Sequence, residues 1–91
     1  MVWRIEFLPA AEKELAKLDR PVAQRILAFL DQRIRPIDDP RSIGEALSGD
    51  KLGTFWKYRV GDYRLIVSIV DARILVSVVR VSHRSDVYRA P

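Results

Sequence analysis

The 91 residues contain no cysteine at all and a single histidine, His83. Disulfides and thiolate metal centres are therefore excluded, and one imidazole is too little for a dedicated zinc or iron site. No metal or cofactor is expected. No apolar run approaches the ~18 residues needed to cross a bilayer. No charged n-region followed by an apolar h-region opens the chain, so the expected address is the cytoplasm, without membrane association. Glycine is scarce as well, at four residues, and three of these fall between positions 44 and 53. Low-complexity tracts, internal repeats and linkers are missing, and a chain this short makes one domain, residues 1–91.

What is present is a soluble, globular composition with a lopsided charge. Hydrophobic residues make up 48% and charged residues 31%, with a formal net charge of +4. Residues 1–50 carry 8 Lys+Arg against 9 Asp+Glu, whereas residues 51–91 carry 8 against 3. The second half is the basic half. Such a surface suits a polyanion such as nucleic acid, or an acidic protein partner, and charge alone does not separate these from an ordinary solvated surface.

Periodicity supplies the element order. "VWRIEFL" alternates, with Trp3, Ile5 and Phe7 on one face, and reads as a half-buried strand. Pro9 suits the first turn of a helix in which Ala11, Leu15 and Leu18 recur at helical spacing. "DRP" breaks that pattern, with Asp19 as the expected N-cap of a second helix. This helix buries Val22, Ile26, Leu27, Leu30 and Ile34, and Pro36 stops it. Residues 36–54 read as a loop with a short helical turn around Ile43 to Leu47. Three strands follow, "TFWKYRV", "DYRLIVSIV" and "RILVSVVRVS", with tight hairpins expected at Gly61-Asp62 and Asp71-Ala72. The expected fold is α+β, in the order β-α-α-β-β-β. An N-terminal helical hairpin packs on one face of a mainly antiparallel four-stranded sheet.

Alternation puts Phe55, Lys57 and Arg59 on one face of their strand and Trp56, Tyr58 and Val60 on the other. Arg64 follows the hairpin close to Arg59, and the last strand runs out at Ser82, His83 and Arg84. The expectation is one cluster of Lys57, Arg59, Arg64, His83, Arg84 and Tyr88 on a single sheet face.

At these residues the chain resembles a known family. "YRVGDYRLIV" (58–67) followed by "HRSDVYR" (83–89) resembles the RelE/ParE superfamily of toxins from type II toxin–antitoxin systems. The resemblance covers nearly the whole chain. The "RVGDYR" hairpin is shared by both branches of that superfamily. The "H-R-x-D-V-Y" ending resembles the RelE branch, whose members cut messenger RNA in the ribosomal A site.

The resemblance implies a RelE-like toxin that cleaves RNA without metal, sending a ribose 2′-hydroxyl onto the adjacent phosphate. Such chemistry needs a proton acceptor, positive charge around the phosphorane and in-line positioning. Arg64 matches the arginine set against the scissile phosphate, where a planar fork suits the anion. Lys57, Arg59 and Lys51 match phosphate- and RNA-holding positions. Tyr88 matches the tail tyrosine that stacks on a base or orients the 2′-hydroxyl, and Arg84 is a further substrate contact. His83 is the natural acid or base, because an unperturbed imidazole titrates at about 6.5. The archetype has a carboxylate where this chain has His83, and Phe55 and Ser82 replace a lysine and an arginine, so which group moves the proton stays open. The implied partners are the ribosome with its messenger and ribosomal RNA, a cognate RelB-like antitoxin that is acidic and partly helical, and operator DNA through that antitoxin.

Plainer readings stand beside these. Arg59 and Arg64 have an alternative as ion-pair partners of Asp62 or of helix glutamates, pairs worth ~0–1 kcal/mol. A lone His83 at a strand end is often structural. Trp3, Trp56 and Tyr58 are assigned to the core, while Tyr63 is placed either there or beside the substrate. Arg33, Arg35 and Arg41 either track RNA or cap the second helix. Two other functions remain in view, a ParE-like gyrase inhibitor and a relative that keeps only antitoxin binding.

Overall fold

The computed structural model describes residues 2–47 and 55–84. Strand β1 (Arg4–Phe7) leads into helix α1 (Pro9–Ala16), and α2 (Arg20–Phe29) follows after a three-residue break. Pro9 and Pro21 both sit in the first turn of their helices, where a missing N–H leaves no bond unmade. Asp19 occupies the N-cap position of α2, but its carboxylate makes no capping hydrogen bond, contrary to expectation. The end of α2 widens into a π-turn over Leu30–Ile34, closed by the Arg35 N–H donating to the Leu30 carbonyl, and the chain breaks at Pro36.

The sheet runs β1-β5-β4-β3-β2, where β2 is Glu45–Ala46, β3 Phe55–Val60, β4 Tyr63–Val70 and β5 Leu75–His83. β1 lies parallel to β5, and the other pairs are antiparallel. The α+β class therefore holds, with five strands instead of four. The extra strand is β2, which stands where a turn of helix was expected. Its two residues pair with Lys57 and Trp56, and the Leu47 N–H donates to the Phe55 carbonyl. Gly44 lets this segment lie against Tyr58, since a Cβ there would come within 2.9 Å of the tyrosine ring. The Tyr58 hydroxyl donates to the Pro40 carbonyl at 2.6 Å inside the core, and Arg41 bonds Asp39 and Asp71. The described part of the loop is thus held at Pro40 and Arg41 and again at Glu45–Ala46.

The β3–β4 connection is the expected two-residue hairpin, with Gly61 at φ 60° as its first residue. The β4–β5 connection is longer than expected. A 3₁₀ turn over Asp71–Arg73 ends at Ile74, whose φ of 48° is unusual for a β-branched residue.

Core packing explains the layers. Both helices cover one sheet face, where Ala11, Ile26, Leu30 and Ile34 meet Tyr58, Val60, Leu65, Val67, Val76, Val78 and Val81. Trp3 is buried and Trp56 partly buried against this cluster, as the sequence suggests. The opposite face carries Lys57, Arg59, Arg64, Ile66 and Ser82, which alternate with the core residues.

Candidate functional site

A β-bulge decides the geometry of the site. Ile66 faces Arg80 while Val67 faces Val78, so Val79 is an extra residue without a partner. One inserted residue reverses the parity of everything after it. Plain alternation from Val76 and Val78 would have sent His83 to the face of Arg64. With the bulge, Val81 joins the core opposite Leu65, and His83 stands opposite Tyr63 on the helix side.

The single-face cluster expected from the sequence is therefore divided. Arg64 is opposite Ser82 on one neighbour and opposite Arg59 on the other, on the face away from the helices. Lys57 shares that face, half-buried between Glu45 and Ile66 in register. Arg84 follows the end of β5, exposed, with its backbone N–H donating to the Asp62 carbonyl at 2.7 Å. His83 lies edge-on to Tyr63, with ring centroids 5.2 Å apart, and lines a hollow of about 320 Å³ with Glu14, Lys17 and Leu18. Tyr63 belongs to this helix-side group, packed against the core. Tyr88 and Lys51 lie outside the described residues.

The cationic face has a distinctive electrostatic arrangement. Arg59 and Arg64 are direct cross-strand neighbours, a like-charge pairing that destabilises a sheet. Arg64 is only 6% exposed, and its guanidinium donates to the Tyr63 carbonyl at 3.3 Å. Among the described residues no carboxylate lies within ion-pair distance of Arg59 or Arg64, so the ion-pair reading of these two finds no partner. Arginines placed together against stability, with no carboxylate partner among the described residues, are suited to receiving an anion. The same comparison sorts the helix-end arginines: Arg35 pairs with Asp31 and Arg41 with Asp39 and Asp71, whereas Arg33 has no such partner among the described residues.

Glu14, which sequence patterning did not single out, organises the end of β5. β1 stops at Phe7, so among the described residues no strand lies beside the edge of β5 beyond Val78. The Glu14 carboxylate fills that gap, accepting the Val81 N–H at 2.8 Å and the Arg80 Nε and Nη2 at 3.0 and 2.8 Å. Burial by itself would raise the Glu14 carboxyl, but the Arg80 hydrogen bond, the Val81 N–H and the nearby cations outweigh it, and the pKa is lowered. Arg41 likewise lowers the Asp71 carboxyl, mainly by hydrogen bonding. Burial raises the Tyr58 phenol, which stays protonated and donating. Among the described residues no three His, Asp or Glu side chains group closely enough to hold a metal ion, and no helix is long and apolar enough to cross a membrane.

A helical pair over one face of a mixed five-stranded sheet, with arginines across the β3–β4 hairpin, is the architecture of RelE-like toxins. The comparisons agree with it. Residues 5–88 match the family described as ParE toxin of type II toxin-antitoxin system, parDE. Toxin RelG of Mycobacterium tuberculosis is 32% identical over 89 residues, covering 98% of this chain and 99% of that protein. The toxin in the RelBE2 toxin-antitoxin complex from Mycobacterium tuberculosis superposes with a TM-score of 0.82 at 27% identity, over 94% of this chain and 95% of that one. A mutant of Escherichia coli RelE in complex with an antitoxin RelBc peptide gives 0.72 at 27% identity, over 98% and 93%. The chain belongs to the RelE/ParE superfamily of type II toxin–antitoxin toxins.

Proposed function

We propose that the protein is a ribosome-dependent endoribonuclease that cuts messenger RNA in the A site and so stops translation. The observation that carries this reading is the cross-strand pair of Arg59 and Arg64, with Lys57 beside it and no carboxylate partner for either arginine among the described residues. In the proposal Arg64 takes the scissile phosphate and offsets the charge of the phosphorane, while Lys57, Arg59 and Lys51 hold the flanking backbone. The 2′-hydroxyl attacks the adjacent phosphorus and the 5′-oxygen leaves, giving a 2′,3′-cyclic phosphate. Arg84 contacts the substrate and Tyr88 stacks on a base. His83 keeps the proton-transfer role only if the end of β5 rearranges around bound RNA, because the sheet separates its ring from the Arg64 face.

The relatives supply the partner. Solved toxins of this fold are described in complexes with RelB-type antitoxins, and the proposal gives this chain a similar acidic antitoxin that neutralises the cationic face. Operator DNA is reached through that antitoxin. The site of action is the cytoplasm, on ribosomes.

A translation extract programmed with a defined messenger, read by primer extension, tests the reading. Cuts confined to the A site that vanish with Arg64→Ala support it. The match to ParE toxins favours one competitor, gyrase inhibition. Loss of supercoiling activity with no cuts would establish that instead. A His83→Ala protein that cuts at the parent rate removes His83 from the reaction without touching the role of Arg64.

A further inference from the structure

β2 pairs with β3 at Trp56 and Lys57, and the Leu47 N–H donates to the Phe55 carbonyl, so among the described residues no strand covers the outer edge of β3 from Tyr58 onward. Beside that edge runs α2 with its π-turn, and between them lies an open groove of about 390 Å³. Arg25, Gln32 and Arg33 line it from the helical side, and Arg59 and Gly61 from the strand and hairpin. Among the described residues no carboxylate lines it, and none of its three arginines is in an ion pair. Gly61 is part of the construction. A Cβ at this position would sit 3.2 Å from Nη1 of Arg25, so the missing side chain lets that guanidinium lie over the hairpin.

The geometry points to this groove as a second RNA-backbone site, one that leads a single strand away from the Arg64 face across the β3 edge. The inference rests on RNA being the target. Arg59 belongs to both places, since it faces Arg64 across the β3–β4 ladder and also lines the groove. Arg25 and Arg33 are eight residues apart, about 12 Å along a helix axis, so together they span more than one phosphate of a strand. Guanidiniums with unpaired forks are the preferred phosphate ligands.

An acidic protein segment is the competing occupant, and the distribution of apolar surface disfavours it. Protein partners gain affinity from buried apolar anchors. Among the described residues the large exposed apolar side chains are Val2, Leu8, Leu27, Ile43 and Ile74, and none of them lines this groove. Leu27 instead faces a separate hollow with Ile5 and Phe7, on the other side of α2. Ala28, Phe29 and Val60 form the apolar part of its lining, but Val60 is buried and Phe29 is half-buried against the core beside Tyr58. None of them is a large exposed anchor, and the three guanidiniums suit a solvated backbone.

Equilibrium binding to a 2′-O-methyl oligonucleotide, measured by fluorescence anisotropy over a salt series, tests the assignment. This probe cannot be cut, so the result is independent of whether ribosomal cleavage occurs. For single strands each neutralised phosphate contributes about 0.7 to the salt slope. Arg25→Gln/Arg33→Gln is expected to bind about tenfold more weakly, with a slope shallower by about 1.4. Arg33→Gln alone, at an exposed helix position, carries about half of that change in slope. Arg25→Lys/Arg33→Lys keeps the slope. Lys13→Gln/Arg73→Gln removes the same net charge elsewhere and leaves affinity within about twofold. Equal losses in both double variants, or an unchanged slope in the first, would overturn the inference. So would unchanged RNA binding combined with lost affinity for a glutamate-rich peptide.

Discussion

Removing the Glu14 carboxylate tests how the end of β5 is held. In Glu14→Ala the Val81 N–H loses its acceptor beside a strand edge that no other strand among the described residues covers. Leaving a partly buried donor unmade costs about 1–2 kcal/mol. Loss of the Arg80 pair adds about 0.5 kcal/mol, discounted because the Arg80 side chain is 56% exposed. A total near 2 kcal/mol lowers the Tm of a domain this size by roughly 8–16 °C. Glu14→Gln keeps an oxygen for the Val81 N–H and loses only the charge, so it costs about 0.5–1 kcal/mol. The pH dependence has a definite sign. The folded pKa of Glu14 lies below its ordinary value of 4.5, so its contribution is complete above 4.5 and disappears as pH falls through the folded value. Melting followed by circular dichroism should therefore show a gap between parent and Glu14→Gln at pH 7 that closes as the pH falls through the folded value. A Glu14→Ala protein melting within about 2 °C of the parent at pH 7 would refute the reasoning, as would a Gln gap that persists in acid.

Three further substitutions probe the packing that positions the sheet. Tyr58→Phe leaves the Pro40 carbonyl without its buried donor, and a loss of about 1–2 kcal/mol is expected in urea melts. Gly44→Ala drives a methyl to 2.9 Å from a Tyr58 ring already fixed by Pro40, with an expected loss of about 1–3 kcal/mol in the same melts. Gly61→Ala places a side chain at φ 60° and against Arg25, lowering stability by about 1–2 kcal/mol and weakening oligonucleotide binding together.

The sequence was most legible where signals are local. The alternation of Trp3, Ile5 and Phe7, the prolines opening both helices and the Gly61-Asp62 hairpin each act within a few residues, and each element formed as read. β2 was not legible, because two residues show no period and Glu45–Ala46 become a strand only through distant Lys57 and Trp56. The Arg59–Arg64 neighbourhood followed from a two-residue hairpin, whose register is fixed by its turn. The position of His83 did not follow. A single bulge residue, Val79, carries it to the helix face, and "RILVSVVRVS" contains no glycine or proline to mark the place. Glu14 escaped notice because its role comes from an edge that exists only once β1 has ended beside β5.

In the proposed function, the face bearing Arg59 and Arg64 receives the scissile phosphate of ribosome-bound messenger. The direct measurement is single-turnover cleavage of A-site messenger on purified ribosomes by the parent and by Arg64→Lys. A fall in the cleavage rate of at least about a hundredfold is predicted, with messenger-bound ribosomes still retaining the toxin, because a point charge cannot reproduce the planar fork in the transition state. An Arg64→Lys protein that cuts as fast as the parent contradicts the account.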